Sequence, residues 1–266
     1  MKLFFRKYGE GPPLIILHGL FGSSDNWITI AKRLSSRFTV FLPDQRNHGN
    51  SPHSDFHDYP SMSSDLLEFS ADQQLMSFFL AGHSMGGKTA VRFALQHPEM
   101  IEGLIVADIS PLATKTGTSG SFNQYRSILK VLAETDVSKA RSRADLEEKF
   151  PGTIFSGRTR GLILKNIRRN DDGSFSWKLN IKSLLANLEK IIGSVVSPPE
   201  SFEQVTGFPV LFLKSEKSDY LPSGDYEKIL KLFPAAEFRI IENAGHWLHA
   251  DNPEEVTEAF LSLLDY

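Results

Sequence analysis

A chain of 266 residues, 41% hydrophobic and 23% charged, can bury a sizeable core and has the ordinary composition of one globular domain. Its net charge of −3 argues against general nucleic-acid binding, and the lack of cysteine excludes disulfides, thiolate catalysis and cysteine-ligated metals. No apolar run approaches the ~18 residues of a membrane span, and Met1 to Lys7 lacks the apolar core and cleavage site of a secretory signal, so a cytoplasmic location is expected.

Leu3 to Tyr8 reads as a short strand, followed by a turn from Gly9 to Pro13. Leu14-Ile15-Ile16-Leu17 is an unbroken apolar run, as a strand buried on both faces requires, and it ends in His18-Gly19-Leu20-Phe21-Gly22-Ser23. Asp25 is placed to cap a helix carrying Trp27, Ile28, Ala31 and Leu34 at helical spacing. Phe38 to Leu42 is a third strand. It runs into a turn-rich loop, Pro43 to Pro52, to which the sequence assigns no chemistry. A helix is expected from Ser61 or Ser63 to Leu75.

The stretch from Phe78 to Thr89 carries the strongest signal. An apolar strand ends in Gly82-His83-Ser84-Met85-Gly86, and a helical pattern starts at once (Ala90, Val91, Phe93, Ala94, Leu95). Gly82-x-Ser84-x-Gly86 fits a nucleophile elbow, a turn too tight for side chains beside the serine, with the next backbone N–H at a helix N-terminus ready to bind an oxyanion. The same residues also match a phosphate-binding loop, Gly82-x-x-x-x-Gly87-Lys88-Thr89, and Leu104 to Asp108 could supply its magnesium-binding aspartate. Context decides against that match. Three strand-like runs precede it, where such a loop usually follows the first strand, and it leaves the His18-Gly19 and His246 motifs unexplained. Lys88 is then an ordinary helix residue.

Gly103 to Ile109 is the next buried strand, and strand–helix alternation to this point implies a mostly parallel sheet. After Ser110-Pro111 the alternation stops. From Leu112 to Gly207 the pattern is mostly helical, with segments at Phe122–Glu134, Ser138–Lys149, Ile154–Arg168 and Ile181–Ile192 and an extended piece at Phe175–Leu179. This insertion holds 15 Lys and Arg against 10 Asp and Glu, net +5 on a chain of net −3. Five of the cations, Arg158, Arg160, Lys165, Arg168 and Arg169, fall close together. They form either a solvated helix face or an attraction for an anionic leaving group such as the phosphates of an acyl-coenzyme A. The sheet resumes at Pro209–Leu213 and Glu237–Ile241, and Asn252-Pro253-Glu254-Glu255 caps a closing helix. The expected organisation is a core of 1–111 and 208–266 with a helical cap at 112–207.

Taken together, His18-Gly19, the Gly82–Gly86 elbow and Ala244-Gly245-His246 make the chain resemble the α/β-hydrolase family along nearly its whole length. Arg46-Asn47-His48-Gly49, Gly82 to Thr89, Ala107 to Pro111 and Asn243 to Asp251 are similar to a branch of small carboxylesterases found in bacteria and, as relatives, in mitochondria. The resemblance implies an α/β fold with helices on both faces of the sheet and an inserted helical cap. It implies a serine hydrolase acting on carboxylic esters or thioesters of short to medium acyl groups, with no metal or organic cofactor. Ser84 is the nucleophile candidate and His246 the base. In this branch the acid follows the strand before the insertion, at Asp108. In most of the family it follows the strand Val210–Leu213, where register places Ser218 rather than Asp219. Asp108 is favoured, and the charged run Lys214 to Lys217 keeps Asp219 open. The family pattern makes the backbone N–H groups of Leu20 and Met85 the oxyanion hole. His18 and His83 flank the site as structural hydrogen-bonders, and a His246–His249 metal pair lacks further ligands nearby. The alternatives are a degenerate hydrolase acting as a small-ligand receptor, against which an intact serine, histidine and acid argue, and a nucleotide hydrolase using Gly82–Thr89.

Overall fold

A computed structural model of the chain describes residues 1–112, 119–150, 155–196 and 203–265. Strands β1 (Phe5–Tyr8), β2 (Pro13–Leu17), β3 (Thr39–Pro43), β4 (Phe78–His83), β5 (Ile101–Ala107), β8 (Val210–Ser215) and β9 (Ala236–Ile241) form one seven-stranded sheet in the order β1-β3-β2-β4-β5-β8-β9. All neighbours run parallel except β1, which lies antiparallel to β3 at one edge. The parallel pairs force crossovers, so each connection must climb over a face and return. Helices α1 (Ile28–Leu34), α2 (Tyr59–Asp72), α3 (Met85–Gln96), α9 (Tyr226–Leu232) and α11 (Pro253–Leu261) are drawn from these connections and the C-terminal segment, with α10 (Leu248–Asp251) a single turn before α11.

Alternation along the strands feeds two apolar layers. Ile15, Leu17, Leu80, Leu104, Val106 and Phe212 enter one layer with residues of α2 and α3. Leu14, Ile16, Ala81, Ile105, Leu211 and Leu213 enter the other with residues of α1 and α11. Burying each such aliphatic side chain is worth about 1.5–3 kcal/mol, so burial on both faces anchors the sheet between the two layers.

Between β5 and β8 the chain forms α4 (Ser119–Glu134), α5 (Arg143–Glu148), α6 (Gly157–Lys165), the hairpin strands β6 (Ile167–Arg169) and β7 (Phe175–Trp177), α7 (Ile181–Ala186) and α8 (Leu188–Ile192). The expected helix over 154–168 is thus shorter. Its first residue lies outside the described residues, and Asn166 ends it, turning Ile167–Arg169 into a strand that pairs with the expected extended piece. The helix expected from Ser138 starts at Arg143, because the Ser142 side chain accepts the Asp145 N–H as its cap. The helix expected from Ser61 starts two residues earlier, where Asp58 accepts the Ser61 N–H and Pro60 occupies the first turn. Asp25 is not a cap. It pairs with Arg6 at 2.7 Å, and Ser23 begins the turn that leads to α1.

The passage from β4 to α3 is a tight junction of backbone against backbone. A Cβ on Gly82 would lie 2.2 Å from the Gly86 carbonyl oxygen, and one on Gly86 would lie 2.4 Å from that of Leu17 and 2.6 Å from that of His18. The second clash is with the end of β2 rather than with Gly82, so the two glycines serve different contacts. Both obstacles are backbone and cannot give way. Gly82→Ala is therefore expected to cost about 3 kcal/mol by urea unfolding. Gly161→Ala in α6, where a Cβ meets nothing within 4 Å, should instead stabilise by about 0.5–1 kcal/mol.

Candidate active site

Three strand ends deliver the three side chains. Ser84 follows β4, Asp108 follows β5, and His246 follows β9, all at the carboxyl edge of the sheet. This is where groups from separate strands converge in open α/β folds. Ser84 and Asp108 both have positive φ, 53° and 49°. For non-glycine residues such backbone is costly and persists only when its surroundings enforce it. Ser84 N–H donates to the Ala107 carbonyl at 3.1 Å and Asp108 N–H to that of Leu213 at 2.7 Å, so sheet pairing carries through both bends.

The imidazole of His246 bridges the other two side chains. Its Nδ1 lies 2.8 Å from Asp108 Oδ2 and its Nε2 lies 3.2 Å from Ser84 Oγ. The carboxylate can only accept, so Nδ1 carries the proton and Nε2 offers its lone pair to the serine hydroxyl. Asp108 is wholly buried, and its other acceptor sites are taken by the Ser215 N–H at 3.0 Å and the Ser218 hydroxyl. Asp219 is exposed. The structure thus brings Ser84, His246 and Asp108 together and leaves Asp219 outside the cluster.

A second set of contacts holds the imidazole in place. Tyr220 stacks on it at 4.1 Å between ring centroids, and the Tyr220 hydroxyl meets that of Tyr125 at 2.9 Å. His83 Nε2 donates to the His246 backbone carbonyl at 2.7 Å. His249 does not join His246 around a common point; its ring stacks on Trp27 at 4.4 Å. Among the described residues no group of three or more His, Asp or Glu could hold a metal ion.

The N–H groups of Leu20 and Met85 make no hydrogen bond among the described residues, and both residues line the cavity at Ser84. Leu20 is held by the loop after β3. Gln45 N–H donates to His18 Nε2 at 2.9 Å, Gln45 Nε2 donates to the His18 carbonyl at 2.6 Å, and His18 Nδ1 donates to the Gly19 carbonyl at 2.9 Å. His48 accepts the Phe21 N–H at 3.3 Å through Nε2. That loop, expected to be structural and without chemistry, fixes the segment that presents Leu20. Ser218, Tyr220 and Gln45 are the supporting residues the sequence reading missed. Only for Ser218 was there a signal, its register at the end of β8.

Two cavities meet at Ser84. One, about 30 Å³, is lined by Met85, Lys88, Ile109, Tyr59, Ile191 and Ile192. The other, about 180 Å³, is lined by Phe21, Gln124, Ile128, Leu162, His246 and Trp247. Leu20, Ser84, Tyr125 and Tyr220 belong to both walls.

The alpha/beta hydrolase fold family model matches residues 12–253, and the chain belongs to that family. It is 43% identical to a solved structure described as a marine microorganism esterase, which covers 98% of this chain and 99% of that one with a TM-score of 0.90. It is 37% identical to the sn-1-specific diacylglycerol lipase ABHD11 of Xenopus laevis over 96% of this chain and 80% of the relative. It is 28% identical to Esterase YbfF of Escherichia coli over 95% of this chain and 93% of the relative. These similarities lie in the small-esterase branch of the family. No helix among the described residues is long and apolar enough to cross a membrane.

Burial leaves a set of neutral histidines around the site. It pushes His18 down, His48 and His83 well down, and His57 and His249 to about 3. In the unfolded chain each titrates near ~6.5. A depressed folded value means that unfolding takes up protons below that pH. The stability these groups contribute is present above ~6.5 and falls as pH drops towards 3. Urea midpoints should therefore decline steeply from pH 6.5 to 4.5. His57→Gln should remove about 1.4 kcal/mol per pH unit from that slope; an unchanged slope would contradict the assignment.

Proposed function

We propose that the protein is a serine hydrolase that cleaves carboxylic esters through an acyl-enzyme on Ser84. The observation that carries this reading is the His246 ring, hydrogen-bonded by Nδ1 to buried Asp108 and by Nε2 to Ser84 Oγ. As Oγ attacks the acyl carbonyl, its proton passes to Nε2. The imidazolium is stabilised by Asp108, and the developing oxyanion accepts from the Leu20 and Met85 N–H groups. His246 then returns the proton to the leaving alcohol. Water, deprotonated by His246, releases the acid and restores Ser84. The names of the similar proteins, esterases and a lipase, support the ester as substrate class.

The direction in which the substrate lies follows from the general acid. His246 lines the larger cavity and not the smaller one, and the leaving group must reach its Nε2. The leaving group therefore occupies the larger cavity and the acyl group the smaller, whose volume of about 30 Å³ favours a short acyl chain. We read residues 112–207 as a cap over this site, because α4, α6 and α8 supply Gln124, Ile128, Leu162, Ile191 and Ile192 to the cavity walls. Lys165, Arg168 and Arg169 stay exposed on that segment, while Arg158 pairs with Asp251. This is the feature that favours an acyl-coenzyme A as one substrate, with the anionic coenzyme A as its leaving group. If so, kcat/KM for acetyl-coenzyme A should fall steeply with added salt while that for p-nitrophenyl acetate barely moves.

Ser84→Ala and His246→Ala should each lower kcat on p-nitrophenyl acetate by several orders of magnitude, with the double variant little worse than either. Asp108→Asn should cost about 10⁴ in kcat, and Asp219→Asn far less. Multiplicative losses, or the reverse ranking of the two acids, would contradict the reading.

A further inference from the structure

Lys88 lies one helical turn past Ser84, on α3, and the sequence offers it no role beyond that of a helix residue. The structure buries it: the side chain is 2% exposed, and it lines the smaller cavity beside Ser84, Met85 and Ile109. Its Nζ donates to two carbonyls at the end of α8, those of Ile192 at 3.1 Å and Gly193 at 2.6 Å. An ammonium has three donors, so one remains. Among the described residues no carboxylate stands within ion-pair distance; Asp225 acts on it at longer range. Two neutral carbonyls do not compensate a buried charge, and an uncompensated ammonium in an apolar wall is expensive. Holding α8 in place would need no charge, since the nearby Tyr59 hydroxyl already donates to the Ile191 carbonyl.

We propose that Lys88 is an anion-recognising subsite at the inner end of the acyl pocket, selecting acyl groups that end in a carboxylate, the hemiesters of short dicarboxylic acids. This rests on the assignment of the smaller cavity to the acyl group. A carboxylate reaching Nζ would take the remaining donor in a charge-assisted hydrogen bond and supply the counter-charge the fold lacks. A neutral acyl chain of the same shape leaves that donor and charge unmet.

Burial drives the Lys88 ammonium down to about 7, against the weaker upward pull of Asp225. The charge is thus held below that pH and lost above it. The other groups facing the cavity are the phenols of Tyr59 on α2, Tyr125 on α4 and Tyr220, all pushed up by burial, and the α8 carbonyls. Preference for a carboxylate-ended acyl group should accordingly weaken as pH rises from 6 to 9. His246 and Asp108 serve both kinds of substrate, so their titration cancels in the ratio.

The test compares kcat/KM for monoethyl succinate and monoethyl glutarate with that for the ethyl esters in which an isopropyl group replaces the terminal carboxylate. In the wild type the hemiester should be favoured at pH 6 for at least one chain length. Lys88→Met should lower that ratio by about ten- to a hundredfold, the range of a hydrogen bond to a charged group, and Lys88→Arg should retain part of it. A ratio unchanged by Lys88→Met for both chain lengths would overturn the subsite, as would a wild-type ratio that is flat from pH 6 to 9, a measurement that does not depend on the variant folding. A purely structural Lys88 would lower both esters alike and leave the ratio fixed. The two claims fail separately: loss of neutral-ester hydrolysis in Ser84→Ala upholds the serine reading whatever the ratio does.

Discussion

Everything at the carboxyl edge of the sheet turns on one imidazole suspended between a buried carboxylate and a strained hydroxyl. Asp108 has no exposure to water, and three donors surround its carboxylate: the Ser215 N–H, the Ser218 hydroxyl and His246 Nδ1–H. Two of these donors come from the end of β8 and the loop after it, the third from the loop after β9. The bridge therefore exists only if β5, β8 and β9 stand side by side in register, anchored between the two apolar layers. Stability and geometry are coupled here. The hydrophobic packing that anchors the sheet also sets the distance from Nε2 to Ser84 Oγ.

The elbow contributes the other half. Ser84 sits at φ 53° with its neighbours reduced to glycine wherever backbone passes within van der Waals contact. The strain is sustained by α3, whose inner face is buried from Met85 to Ala94. Around this point the protein keeps its histidines neutral by burial and ties them into backbone contacts. His18, His48 and His83 hold loops rather than move protons. A neutral, largely buried surround strengthens the electrostatic interactions of the one histidine that faces the serine.

Much of this was legible in the sequence because the signals were local. Unbroken apolar runs marked the strands, and Gly-x-Ser-x-Gly marked the bend, since only glycine fits against backbone at Gly82 and Gly86. The convergence of Ser84 and His246 was legible through the order of strand ends, whereas choosing Asp108 over Asp219 also needed the resemblance to the esterase branch. What escaped depends on contacts between distant segments. Gln45 grips His18 across a loop that looked merely turn-rich, and Tyr220 stacks on His246 from a segment with no motif. Lys88 read as an ordinary helix residue, and its burial against the end of α8 comes from a segment more than a hundred residues away. Helix limits were missed where a cap outweighed periodicity, as at Asp58 and Ser142, and where Asn166 diverted the chain into a hairpin.

The central claim is that the fold activates one hydroxyl out of all its serines and threonines. A fluorophosphonate reacts with a serine only when a base removes its proton and an oxyanion site receives the phosphoryl oxygen. Peptide mass spectrometry of the labelled protein therefore reads the claim directly. The account predicts one adduct per chain, on the peptide containing Ser84, and none after His246→Ala or urea unfolding. Label distributed over other hydroxyls, or a Ser84 that stays unmodified in the folded wild type, would contradict it.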